Sequence, residues 1–204
     1  MTIAALRPGE TVLIHAGAGG VGQAAISLAL HIGAIPFATV GSEEKKALLM
    51  RRYGIPSNHI FSSRTTEFSD DINKLTGSLG VNVILNSLAE PFLQAFLDVL
   101  SRFGRFVEIG KSDALASSRM GMHVFQRCIS ISSVDLVNLS RHKPDDAADL
   151  YSKVYEMVQK RLFLPPSPLH VYPVSKIEDA LRQFQNRVSG KTNITYGADD
   201  KVKV

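Results

Sequence analysis

The run Thr11-Val12-Leu13-Ile14-His15-Ala16-Gly17-Ala18-Gly19-Gly20-Val21-Gly22 joins a short apolar segment to a Gly17-x-Gly19-x-x-Gly22 spacing. An Ala-, Ile- and Leu-rich stretch from Gly20 to Ile32 follows with helical character. That order is strand, glycine loop, helix, and it is the context in which such spacing holds a dinucleotide. Gly17 permits a tight turn, Gly19 lets backbone approach a pyrophosphate, and Gly22 lets helix and strand pack closely. At Gly20, Val21 and Gly22 the helix opens, offering unpaired N–H groups and a positive dipole end to phosphate. No Lys-Ser or Lys-Thr pair follows the glycines, so this is not a P-loop.

A second chemical signal lies where the next strand ends. A site for an unphosphorylated ribose places Asp or Glu there to accept bonds from its hydroxyls. This strand ends Thr39-Val40-Gly41-Ser42, with no acid. Lys45 and Lys46 follow within a turn, and Arg64 follows the third strand. Cations and a hydroxyl suit a 2′-phosphate, which a carboxylate would repel. The reading is NADPH, bound through Gly41, Ser42, Lys45 and Arg64. Lys46 reads equally well as part of a solvated helix face paired with Glu43 and Glu44.

A third group sits at the ends of the fourth and fifth strands. In an open parallel sheet these ends line the ligand crevice. Asn86, Ser87 and Leu88 are expected near the nicotinamide ribose, with Ile109 and Gly110 beside the ring and Lys111 at the same edge. His15 ends the first strand and reads as a packed residue rather than a base. The six histidines show no metal-ligand spacing, and a single cysteine, Cys128, excludes a Cys-based zinc site within one chain. Cys128 reads as a small buried apolar residue.

These groups need a frame. The chain has 204 residues, 45% hydrophobic and 21% charged, with net charge +4. That suffices for one large core and a small appendage. The basic residues are dispersed, which argues against nucleic acid as a partner. No apolar run is long enough to span a membrane, and no secretory leader is visible. Together with the lone cysteine this fits a cytoplasmic location. Strand and helix patterns alternate. Strands are expected at 11–15, 35–40, 59–61, 81–85, 105–109 and 129–134, with helices at 20–32, 42–52, 70–75, 91–100 and 145–162. The fold class is α/β, a Rossmann-type doubly wound parallel sheet of about six strands with helices on both faces. Leu164-Pro165-Pro166-Ser167-Pro168 breaks the pattern and marks a boundary. Residues 1–163 form the dinucleotide-binding domain, and 164–204 a C-terminal segment with strands at 169–172 and 192–196 around a helix at 176–185.

With these residues in view, the chain resembles the medium-chain dehydrogenase/reductase superfamily. Leu6-Arg7-Pro8-Gly9-Glu10-Thr11 through the glycine loop carries that likeness. Gly41-Ser42-Glu43-Glu44-Lys45, Asn86-Ser87-Leu88, Gly104-Arg105-Phe106-Val107-Glu108-Ile109-Gly110-Lys111-Ser112-Asp113 and Val134-Asp135-Leu136 narrow it. They resemble the enoyl reductase domain of highly reducing type I polyketide synthases. The resemblance implies zinc-independent hydride transfer from NADPH to the β-carbon of an enoyl thioester borne on an acyl carrier protein. It also implies Lys111 and Asp135 as catalytic groups, the lysine protonating or stabilising the enolate and the aspartate keeping it placed and charged. Such domains carry an N-terminal catalytic domain before the glycine loop. Its absence from this run implies that the acyl pocket lies outside it, that 164–204 returns toward that absent domain, and that the isolated chain is inactive. A homodimer is left open. The alternatives are a stand-alone quinone oxidoreductase-like enzyme and a non-catalytic NADPH-binding module.

Overall fold

The computed structural model describes residues 3–87, 92–110, 121–185 and 189–197. Side chains in the strands sort to two faces with the period of two that a pleated backbone imposes. In β1 (Thr11–Ile14), Val12 and Ile14 join one apolar cluster and Leu13 the other. In β2 (Ile35–Val40), Ala38 and Val40 join the first cluster and Phe37 the second. Strands apolar on both faces need cover on both. α1 (Gly20–Ile32) and α2 (Glu43–Tyr53) cover one face with Ile26, Ala29, Leu49 and Tyr53. α3 (Phe68–Leu75) and α4 (Leu93–Asp98) cover the other with Phe68, Ile72, Phe96 and Leu97.

The remaining strands of the main sheet are β3 (Ile60–Ser62), β4 (Val81–Asn86), β5 (Leu100–Glu108) and β6 (Ser130–Ser133). All six pair in parallel, in the order β3-β2-β1-β4-β5-β6. This is the doubly wound sheet expected from the sequence. Its order reverses between β1 and β4, so the C-terminal ends of those strands border the ligand crevice.

Several boundaries differ from expectation, each for a local reason. β5 begins at Leu100, not near residue 105, and the helix before it ends at Asp98. Val81 pairs with Leu100 but Val83 pairs with Arg105, so the intervening residues bulge out of register, with Phe103 in the left-handed region at φ 59°. An unforeseen helix, α5 (Leu136–His142), precedes α6 (Pro144–Gln159). None of α5's residues is buried, so it leaves no apolar periodicity to read. Cys128 is exposed, correcting the expectation of a buried residue. It terminates a short turn of helix in the left-handed conformation, φ 56°, which points the residue out of the core.

The C-terminal segment forms β7 (Leu169–Pro173), α7 (Ile177–Gln185) and β8 (Lys191–Thr195). β7 and β8 pair in parallel with each other as a separate two-stranded sheet. This unit is tied to the glycine loop. The Gly190 N–H donates to the Ala18 carbonyl at 2.9 Å, the Lys191 N–H donates to the Pro168 carbonyl at 3.0 Å, and Gly190 bridges Gly19.

Candidate functional site

The glycine loop is built by close approach. A Cβ on Gly22 would overlap the Ala16 carbonyl oxygen and lie 2.6 Å from the Gly17 Cα. One on Gly17 would stand 2.8 Å from the Ala38 Cβ of β2. These two glycines therefore let β1, α1 and β2 meet. Gly19 differs: within 4 Å its Cβ would meet only the Ala16 carbonyl oxygen, at 3.3 Å. It caps α1 without any side-chain hydrogen bond. The first-turn N–H groups of Gly20, Val21 and Gly22 consequently face a space that no capping side chain fills, an arrangement that accepts an anion. Val21 is 64% exposed at this edge. The cradle fits a dinucleotide pyrophosphate.

Gln23 holds this loop from behind. Its side chain is fully buried. Nε2 donates to the Ala18 carbonyl at 2.8 Å and to the Ser167 carbonyl at 2.7 Å. Oε1 accepts from the Tyr53 hydroxyl at 3.0 Å and the Ser167 N–H at 2.9 Å. One amide thus joins the glycine loop, the end of α2 and the proline segment. Sequence reasoning missed it, because a polar residue directly after Gly22 gives no signal of burial.

Beyond the tip of β2 lies an open hollow of about 420 Å³, lined among others by Gly41, Ser42, Glu43, Glu44, Lys46 and Arg64. Ser42 caps α2, its Oγ accepting from the Lys45 N–H at 3.5 Å. The same hydroxyl, by bonding to Glu44, holds that carboxyl below the usual range. Arg64 donates from Nε to the Gly41 carbonyl at 2.8 Å, which anchors its guanidinium over the strand tip. Of the two lysines, Lys46 lines the hollow, while Lys45 supplies its backbone N–H to the cap. Two carboxylates share this rim, so the local field is mixed.

At the other end, Asn86 is fully buried at the end of β4 and pairs in register with Glu108 of β5. Its Nδ2 donates to Glu108 Oε2 at 2.6 Å, and the Gly110 N–H donates to Glu108 Oε1 at 2.6 Å. The Ile109 N–H donates to the Asn86 carbonyl at 2.9 Å. Asn86, Ser87, Ile109 and Gly110 thus come together at the ends of β4 and β5. Glu108, which holds them, was quoted in the sequence only as part of a motif. Its signal was its place two residues before Gly110 at a strand end. Leu88 and Lys111 lie outside the described residues. Asp135 is described: it caps α5, Oδ1 accepting from the Val137 N–H at 2.9 Å and the Asn138 N–H at 3.4 Å, and Oδ2 from Asn138 Nδ2 at 3.1 Å.

His15 packs at the end of β1, 4% exposed, edge-on to Phe96 at 5.0 Å, and among the described residues neither ring nitrogen has a hydrogen-bond partner. Burial pushes its pKa down to about 4. It is a core residue, as expected.

Residues 20–153 match the family described as zinc-binding dehydrogenase. The chain is 37% identical to the nucleotide-binding subdomain of the enoylreductase domain of PpsC from Mycobacterium tuberculosis, with a TM-score of 0.73 over 79% of this chain and 89% of that one. The chain belongs to the zinc-binding dehydrogenase family, on its polyketide synthase enoyl reductase branch. CurK enoyl reductase is also similar, at 34% identity and a TM-score of 0.82, covering 96% of this chain and 57% of that one. Among curated relatives, a highly reducing polyketide synthase of Emericella nidulans, AN6791, is 46% identical over 99% of this chain, which spans only 8% of that relative's length. The family's description mentions zinc, but among the described residues of this enoyl reductase segment no three His, Cys, Asp or Glu side chains gather as a metal site.

Proposed function

We propose that this chain is the NADPH-binding part of an enoyl reductase that reduces the α,β-double bond of an enoyl thioester carried on an acyl carrier protein. The observation that carries this reading is the uncapped glycine-opened N-terminus of α1 at the reversal point of the sheet, with Arg64 anchored on the Gly41 carbonyl at the tip of β2. When bound, the nicotinamide supplies hydride to the β-carbon of the thioester. The chain's own work is to hold it. Gly20, Val21 and Gly22 bind the pyrophosphate by N–H groups. Ser42, Lys45, Lys46 and Arg64 bind the 2′-phosphate. Asn86, Ser87, Leu88, Ile109 and Gly110 border the nicotinamide riboside. Lys111 delivers a proton toward the α-carbon, and Asp135 supports its charge.

The relatives are large multidomain synthases, which supports further domains and a carrier-bound substrate as partners. We assign residues 1–163 to cofactor binding and 164–204 to a return segment that also braces the glycine loop. The proposed location is cytoplasmic. Titration of the chain with NADPH and NADH tests the cofactor assignment: NADPH should bind at least about tenfold tighter, as one charge-assisted contact supplies. Equal affinity would refute the 2′-phosphate site. The chain alone should not turn over crotonyl thioesters, because hydride transfer needs the acyl group held at near-attack distance. Adding the remainder of the reductase should restore turnover, and a normal rate without it would refute the half-site reading.

A further inference from the structure

The reading of the crevice as a dinucleotide site leaves one carboxylate without an assigned task. Glu108 ends β5 directly opposite Asn86 at the end of β4, one of the two strands whose ends border the crevice. Its two oxygens are used on two different elements, Oε2 by the Asn86 amide and Oε1 by the Gly110 N–H, both at 2.6 Å. Its own backbone is locked as well, the carbonyl accepting from the Val134 N–H at 2.8 Å. Gly110 is shaped around it: a Cβ there would stand 2.8 Å from Glu108 Oε1 and 3.3 Å from the Ser87 carbonyl.

The chemistry gives this arrangement a direction. An ionised carboxylate only accepts hydrogen bonds, whereas a primary amide presents donors on one side and an acceptor on the other. Glu108 therefore forces Asn86 to turn Nδ2 toward it and Oδ1 away. It likewise fixes the Gly110 peptide, whose N–H must point back at the strand end. A neutral amide at 108 could not do both, since one of the two donors would face its NH2. Asn86 could then recover its bond only by flipping, which exchanges acceptor for donor on its other side.

We propose that Glu108 is a positioning residue for the nicotinamide half of the dinucleotide: its carboxylate sets the Asn86 amide and the Gly110 peptide in the one orientation in which the ends of β4 and β5 receive the nicotinamide riboside. This rests on the dinucleotide reading above. It distinguishes the two halves of the site, because the Glu108 carboxylate bonds to Asn86 and Gly110, which the dinucleotide reading assigns to the nicotinamide riboside rather than to either phosphate.

The test compares NADPH with 2′-phospho-ADP-ribose, the same molecule without its nicotinamide, by calorimetry on four proteins. These are the wild type, Glu108→Gln, Asn86→Asp and the double variant Glu108→Gln/Asn86→Asp. The wild type should bind NADPH more tightly than the truncated ligand. Glu108→Gln should weaken NADPH about tenfold, the scale of one hydrogen bond to a charged group, while 2′-phospho-ADP-ribose stays within about twofold. That second ligand also reports whether each variant is folded. Asn86→Asp alone should weaken NADPH similarly, by setting two carboxylates against each other. The double variant restores donor against acceptor at 86–108 and keeps an acceptor on the outer side of residue 86, so it should recover most of the NADPH affinity. Equal weakening of both ligands by Glu108→Gln would show a merely structural role and overturn the proposal. So would unchanged NADPH affinity, or a double variant no better than the singles. A wild type that binds neither ligand would overturn the dinucleotide reading itself, and this proposal with it.

Discussion

At the scale of single residues, the two phosphate sites separate cleanly. Arg64 is anchored by one nitrogen on the Gly41 carbonyl, which leaves the rest of its planar fork over the hollow. Arg64→Ala should cost NADPH about 1.5–3 kcal/mol of affinity, the range for a hydrogen bond to a charged group, and leave NADH unchanged. Fluorescence titration of both cofactors checks it. The glycines give the converse contrast. Gly19→Val should leave the melting temperature near the wild-type value, since a Cβ there meets only one oxygen at 3.3 Å, yet abolish cofactor binding by filling the cradle. Gly22→Ala should instead destabilise the fold by about 1–3 kcal/mol, as overpacking does, because the Ala16–Gly17 backbone lies in its way. Thermal melts and titrations of the two variants should therefore rank them in opposite orders. The glycine spacing was legible because only glycine satisfies such contacts. Glu108 and Gln23 were not, because their importance lies in partners 22 and 144 residues away along the chain.

At the scale of elements, the Gln23 amide decides how the C-terminal unit sits. Gln23→Leu removes an acceptor from the Tyr53 hydroxyl and the Ser167 N–H, and a donor from two carbonyls. Each buried group left unpaired costs about 1–3 kcal/mol. The melting temperature should fall, and amide exchange at Gly190 and Lys191 should quicken more than exchange in β1 or β4. Uniform quickening would mean that the two-stranded unit is not separately held. The six-strand sheet was readable from the sequence because strands buried on both faces concentrate apolar residues, as in Val81–Leu85. The start of β5 was not, because Gly104 looks like a helix stop when it serves a bulge in register. The β7–β8 pairing was hidden too: its strands alternate exposed and half-buried residues, so periodicity shows two strands but not their partner. Asp135 stood out for its neighbours in the motif, and its capping bonds give it a structural task in addition to the electrostatic one proposed.

At the scale of the whole molecule, the buried imidazole of His15 makes stability depend on pH in a definite window. In the fold it titrates at about 4, because burial opposes its charged form. In an unfolded chain a histidine titrates near about 6.5. Between these values the unfolded state binds more protons, so stability must fall as pH falls. The contribution is complete above pH ~6.5 and is lost progressively toward pH ~4, reaching about 3 kcal/mol at full protonation. His59, also lowered by partial burial, adds in the same direction. Glu10 enters later. Arg105 holds its carboxyl below the usual range through paired contacts at 2.9 and 2.6 Å, so its contribution is present above about pH 4.5 and fades only in stronger acid. His15→Leu isolates the first effect. Among the described residues neither ring nitrogen has a partner, and the ring packs against Phe96, so an apolar side chain of similar size gives up no hydrogen bond to them. At pH 7.5 its urea midpoint should match or exceed that of the wild type. At pH 5 it should be clearly higher, and the slope of stability against pH between 6.5 and 4.5 should flatten to what His59 leaves. Parallel slopes for the two proteins across that window would mean that His15 is not the group whose burial makes this fold acid-sensitive.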